Sequence, residues 1–253
     1  TLWDAATGKR IKRIGIENYG LNRVNFSPCG KYIALTNKNK ALEIWDITSE
    51  KHVTTLEYND RIISHFAFSP DGNYIISGCE DSTLKLRHAH SGKSIYTLEG
   101  HDSRIRSVAF SPDGKHILSG SDDGTIKLWD SESGKCTKTL IGHDGSVTNV
   151  DFSPNGKHIL SGSEDSTVKL WATQSGQCIR TLTGHEKTVI SVAFSPDGKQ
   201  LISSSYDKTI KLWDVNSGEC IKTTEEHQNA VTQVYFSPDG KYILSNENGN
   251  AFK

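Results

Sequence analysis

The tripeptide Phe-Ser-Pro stands at Phe26, Phe68, Phe110, Phe152, Phe194 and Phe236, each copy 42 residues from the last. All six prolines lie in it, and a glycine follows each proline two residues later, from Gly30 to Gly240. A second phase is held by Trp3, Trp45, Trp129, Trp171 and Trp213, with Arg87 in the one gap. A register kept without insertion or deletion means that one supersecondary unit is repeated. Every motif must therefore be read by its phase before it is read as chemistry.

The period from Arg104 shows what the unit is. Ile105, Val108 and Phe110 mark a mostly buried strand, and Ser111-Pro112-Asp113-Gly114 reads as a tight turn. His116 to Ser121 is a second strand, and Asp122-Asp123-Gly124 a hairpin turn whose Asp-Gly pair accepts positive φ. Thr125 to Trp129 alternates Ile126 and Leu128 with polar residues, the period of a third strand. After a turn at Ser131 to Gly134, Cys136 to Leu140 is the fourth. Four short antiparallel strands cannot bury both faces of their sheet alone. Successive sheets must stack face to face, and a radial arrangement leaves only short, protected edges. The expected fold is all-β, a β-propeller of four-stranded antiparallel blades.

Composition narrows the function classes. The formal net charge is −1, which offers no electrostatic footprint for nucleic acid or an anionic membrane. No apolar run approaches the ~20 residues that span a bilayer. The cysteines Cys136, Cys178 and Cys220 share one phase, and equivalent places in separate units do not come within the ~7 Å that a disulfide needs. Without metal-ligand spacing, they read as reduced, partly buried thiols of a cytoplasmic protein. Neither a cofactor nor a metal is expected.

The pairs Gly100-His101, Gly142-His143 and Gly184-His185 each precede a tryptophan by 28 residues, and Trp-Asp stands at Trp3, Trp45, Trp129 and Trp213. In these signatures the chain resembles the WD-repeat family over its whole length. The resemblance implies that histidine, strand serine, hairpin aspartate and tryptophan form a hydrogen-bonded relay in each blade. By position the relays are His101, Ser119, Asp123 and Trp129; His143, Ser161, Asp165 and Trp171; and His185, Ser203, Asp207 and Trp213. Physical need agrees, since a buried imidazole must satisfy two nitrogens and an indole N–H one acceptor. A Ser-His-Asp hydrolytic site would have to occur three times over in separate blades, and a hairpin with two or three carboxylate oxygens is too poor for calcium. No catalytic residue is assigned.

Some units depart from the pattern. One has Asn59 and Arg87 for histidine and tryptophan but keeps Ser77 and Asp81; another has Glu17, Leu35 and Asn39 and keeps only Trp45. The last keeps His227 and Ser245 with Gly249 in the aspartate place. His88-Ala89-His90 has the look of a metal clip but lies where the third strand turns, so it reads as a loop.

Five blades are expected at 20–56, 62–98, 104–140, 146–182 and 188–224. A sixth, from 230–253 and 1–14, would be shared between the ends; an open arc of a seven-bladed ring is the alternative. A cut inside a strand suggests a fragment of a longer array. The single domain 1–253 would be a non-catalytic scaffold, the docking or sensing part of a larger signalling or regulatory protein. Such propellers bind proteins or peptides on the face carrying the Gly-His loops. The family's contact positions map to Gly20, Ile62, Arg104, Ser146, Thr188 and Ala230; to Asn22, Ser64, Arg106, Thr148, Ile190 and Thr232; and to Lys38, Glu80, Asp122, Glu164, Tyr206 and Asn248. Arg104 with Arg106 is the best candidate anchor for a carboxylate or phosphate, unless Asp122 and Glu164 neutralise it. Tyr206 offers an aromatic contact. A site in the central channel, for a ligand or a reaction, is the alternative.

Overall fold

The computed structural model describes residues 2–3, 7, 9–12, 23–36, 41–49, 51–56, 62–224 and 227–247. Strands β1 (Leu2–Trp3) and β2 (Arg10–Lys12) pair antiparallel, Leu2 opposite Lys12. The first four-stranded sheet holds β3 (Arg23–Phe26), β4 (Tyr32–Thr36), β5 (Leu42–Asp46) and β6 (His52–Leu56). The second holds β7 (Ile63–Phe68), β8 (Tyr74–Cys79), β9 (Leu84–His88) and β10 (Ser94–Leu98). The third holds β11 (Ile105–Phe110), β12 (His116–Ser121), β13 (Ile126–Asp130) and β14 (Cys136–Leu140). In the fourth are β15 (Val147–Phe152), β16 (His158–Ser163), β17 (Val168–Ala172) and β18 (Cys178–Leu182). The fifth is built from β19 (Val189–Phe194), β20 (Gln200–Ser205), β21 (Ile210–Asp214) and β22 (Cys220–Thr224). Finally β23 (Val231–Phe236) pairs with β24 (Ile243–Glu247). The expected junction of this pair with β1 and β2 runs through 248–253, outside the described residues.

Each four-stranded sheet is a meander in chain order, and the described connections are tight turns whose chemistry is local. Ser111 shows how one turn closes: its hydroxyl donates to Asp113 Oδ1 at 2.6 Å and accepts the His116 amide at 2.9 Å. Asp113 also accepts the Lys115 amide, and Gly114 supplies φ +72°. At the next turn Asp130 accepts both the amide and the hydroxyl of Ser133. Bonds to Ser111 and the Lys115 amide hold the Asp113 carboxyl below the usual range.

The core lies between blades. Leu118, Ile126, Leu128 and Leu140 of the third sheet meet Val147, Val150, Phe152, Ile159 and Trp171 of the fourth. The same arrangement joins the fourth sheet to the fifth. The second strands β8, β12, β16 and β20 are therefore buried on both faces, whereas Cys178, Ile179 and Arg180 on an outer strand face solvent. The approach is tight enough to require glycine: a Cβ on Gly120 would sit 2.7 Å from Val147 Cγ1, and on Gly78 2.4 Å from Ile105 Cγ2. Inner strands of successive blades touch and converge on one cavity of about 1370 Å³, which residues from all six inner strands line. This is a β-propeller architecture. Among the described residues no helix is long and apolar enough to cross a membrane.

The placement of three thiols is a correction. Cys136, Cys178 and Cys220 are exposed, not partly buried, since each opens an outer strand at the rim; Cys79 on a second strand is the buried one.

Candidate functional site

In the third, fourth and fifth sheets the same four groups meet. His101 Nδ1 lies 2.7 Å from Asp123 Oδ2 and its Nε2 2.8 Å from Ser119 Oγ, while Trp129 Nε1–H donates to that Oγ at 2.9 Å. His143 reaches Asp165 at 2.7 Å and Ser161 at 2.7 Å, with Trp171 donating at 2.9 Å. His185 reaches Asp207 at 2.8 Å and Ser203 at 2.7 Å, with Trp213 donating at 2.9 Å. Proton inventory fixes the direction. Indole can only donate, so the serine hydroxyl gives its one proton to Nε2 and the imidazole donates from Nδ1 to the carboxylate.

Electrostatics keep that state. Burial lowers the His101, His143 and His185 pKa values against the pull of their aspartates, so the rings are neutral. Burial opposes ionisation of Asp207, yet bonds from Thr209, His185 and the Glu186 amide outweigh it and hold the carboxyl at about 2. The geometry is that of a hydrolytic triad, but Ser119 is 0% exposed and its Oγ already accepts from an indole. No substrate carbonyl can reach it.

A fifth member was not read from the sequence. Thr125, Thr167 and Thr209 each donate a hydroxyl to the relay aspartate at 2.7 Å and stand 3.2–3.3 Å from the histidine Nδ1. Their signal was present, a threonine two residues after each aspartate.

Departing blades use other bonds. Trp45, with Leu35 in the serine place, donates its indole N–H to Glu43 Oε2 at 3.0 Å. Arg87 donates from Nη1 to the Gly92 carbonyl. In the last blade His227 Nδ1 lies 2.5 Å from Glu247 Oε1. His88 and His90 pack on Tyr74 and Tyr32 respectively, and no cluster of metal-ligating side chains occurs among the described residues.

On the Gly-His face the mapped positions separate into two kinds. Ser64, Thr148 and Thr232 are fasteners. Ser64 donates to the Ile105 and Gly78 carbonyls, Thr148 to those of Val189 and Gly162, and Thr232 to that of Asn246. The charged positions form a lattice across blades. Arg104 pairs with Glu80 at 3.3 Å, and Arg106 bridges Asp122 at 2.5 Å and Glu164 at 3.4 Å. Ser146 donates to the other oxygen of Glu164. The two arginines are thus engaged by acids of their own and neighbouring blades. Tyr206 and Ile62 stand 48% and 37% exposed. Gly20, Asn22, Lys38 and Asn248 lie outside the described residues.

Inside the cavity the free edges of β11, β15, β19 and β23 are each covered by the blade before. The Val108 amide donates to His65 Nδ1, that of Val150 to Ser107, that of Val192 to Asn149 and that of Val234 to Ser191. Burial, with Arg23 adding to it, pushes the His65 pKa down to about 3, so its ring is a neutral acceptor. These clasps hide strand edges that would otherwise recruit other chains.

Radially stacked four-stranded blades carrying this relay define a class of repeat. The family model described as WD domain, G-beta repeat matches residues 50–87, 92–130, 134–172, 176–214 and 218–251. The chain belongs to the WD40 family. A search of curated proteins returned no match.

Proposed function

We propose that this chain is a non-catalytic interaction scaffold that docks a protein or peptide on its Gly-His face. Domains of this family generally mediate protein–protein contacts. The observation that carries the finer reading is the contrast between frame and face. Relay groups repeat in three blades with the same distances, whereas the loop positions Glu80, Asp122, Glu164 and Tyr206 differ and stand at the surface. A rigid frame with an individualised face suits recognition. In this reading Tyr206 and Ile62 are the contact residues, and the Arg104–Arg106 lattice sets their surroundings. We further place the chain in the cytoplasm as the docking part of a signalling protein, in keeping with its exposed free thiols.

The test is site-specific photocrosslinking in the source cell. A crosslinker at 206 should capture a defined partner, and one at 199 on the opposite face should not. Capture from 199 alone would move the site to the other face and sink the assignment.

A further inference from the structure

Asp151 has no counterpart in the rest of the ring. Its phase is filled by Ala67, Ala109 and Ala193 in neighbouring blades, with Asn25 and Tyr235 beyond them. It sits next to last on β15, on the wall of the central cavity toward the Phe-Ser-Pro end. Oδ2 accepts the Phe194 amide at 3.2 Å, and no cationic side chain pairs with the carboxylate among the described residues. We propose that Asp151 is the acceptor for an organic cation, an ammonium or guanidinium group that enters the central channel.

A carboxylate in a channel wall is costly unless paired. Burial raises the Asp151 pKa to about 6, and among the described residues the opposing influences are the backbone amides of Phe194 and Phe152. The other ionisable groups of the cavity are engaged or remote. Arg106 and Glu164 pair at the Gly-His mouth, Arg104 holds Glu80, His65 is neutral, and Arg23 on β3, which acts on His65, is not among the groups that shift Asp151. Tyr206 and Tyr235 also line the cavity. The small side chains of Ala109 and Ala193 leave room for an alkyl stem, and Phe110 offers an aromatic wall of the kind that favours a cation. A divalent metal is a poor fit, because one carboxylate stands where six to eight oxygens are needed for calcium.

The reading is independent of docking on the loop face, and its test uses different probes. Aspartate labelled with ¹³C at the carboxyl would report the ionisation of Asp151, assigned by its loss in Asp151→Asn. Titrations are run alone and with n-butylammonium, n-butylguanidinium or a doubly blocked Ala-Lys-Ala peptide. A bound cation should lower the Asp151 pKa by about one pH unit, a tenfold preference for the ionised carboxyl. Asp151→Ala, a residue three other blades already carry, should keep the fold and weaken probe binding at least about tenfold. A shift with the peptide alone assigns a partner's side chain, and one with the small cations alone a free amine; either supports the proposal. An unmoved pKa with every probe, or equal binding to Asp151→Ala, overturns it.

Discussion

Replacing Ser161 by alanine deletes one oxygen and asks what the relay contributes. That oxygen accepts from Trp171 Nε1 at 2.9 Å and meets His143 Nε2 at 2.7 Å, and the site is 0% exposed. The variant therefore strands two buried groups at a site without solvent exposure. Each unmade bond costs about 1–3 kcal/mol, so a loss of about 2–6 kcal/mol is expected. That is a large part of the ~5–15 kcal/mol that stabilises an ordinary domain. Urea unfolding followed by tryptophan fluorescence measures it. Pairing the change with Trp171→Phe separates the bond from the missing methylene-sized volume, since the indole donor is then absent in both arms. The double variant should lose less than the sum of the singles, by about 1 kcal/mol or more. A Ser161→Ala loss below about 0.5 kcal/mol, or strict additivity, would refute the claim that the relay fastens the blade.

Acid should loosen the same network. Asp207 is held at about 2, below its ordinary 3.8, so it contributes stability above pH 3.8 that is lost as pH falls through about 2, worth about 2 kcal/mol; Asp207→Asn should flatten that part of the unfolding profile. His185 is lowered, so stability also begins to fall once the pH drops below 6.5, where the unfolded ring gains its proton first. Asp151 runs the other way: raised from 3.8 to about 6, it leaves the fold about 3 kcal/mol less stable once the pH has risen through 6, and Asp151→Ala should remove that slope from denaturant melts. Ser204 takes the place of Gly78, Gly120 and Gly162, and its buried hydroxyl has no partner among the described residues; Ser204→Ala should raise stability by about 1 kcal/mol in a thermal melt, and a loss would mean the hydroxyl is satisfied.

What the sequence disclosed follows from the range of the interactions. Turns were legible because proline, glycine and aspartate act within four residues, and the relay because the resemblance to WD repeats implies it and its members recur at one phase. Even so, an Asp-Gly reading covered only Gly124. Ser82, Ser166 and Lys208 adopt the same left-handed φ, at 70°, 66° and 73°, and the aspartate before each accepts the amide of the threonine after it. The partner of Trp45 was not legible, because Glu43 lies two residues away on the same strand instead of at the serine phase. The clasps of His65, Ser107, Asn149 and Ser191 join units 43 residues apart, so they depend on which strand edge faces the next blade. For Arg104 and Arg106 the residue types allowed either a free anion anchor or an internal lattice. Only the meeting of three blades selects the lattice.

That lattice constrains how the loop face can bind. A partner carboxylate brought to Arg106 must displace Asp122 or Glu164, exchanging one ion pair for another in a half-exposed setting where such pairs contribute ~0–1 kcal/mol. In the proposed docking, net electrostatic gain is therefore small, and affinity comes from burying the exposed Tyr206 and Ile62. The consequence is a shallow salt dependence. Raising ionic strength from low to physiological should change the affinity of the Gly-His face by less than about threefold, while Tyr206→Ala should weaken it at least about tenfold. A steep salt dependence with an indifferent Tyr206 would mean that the arginines leave their acids on binding, and that charge, not the exposed apolar pair, selects the partner.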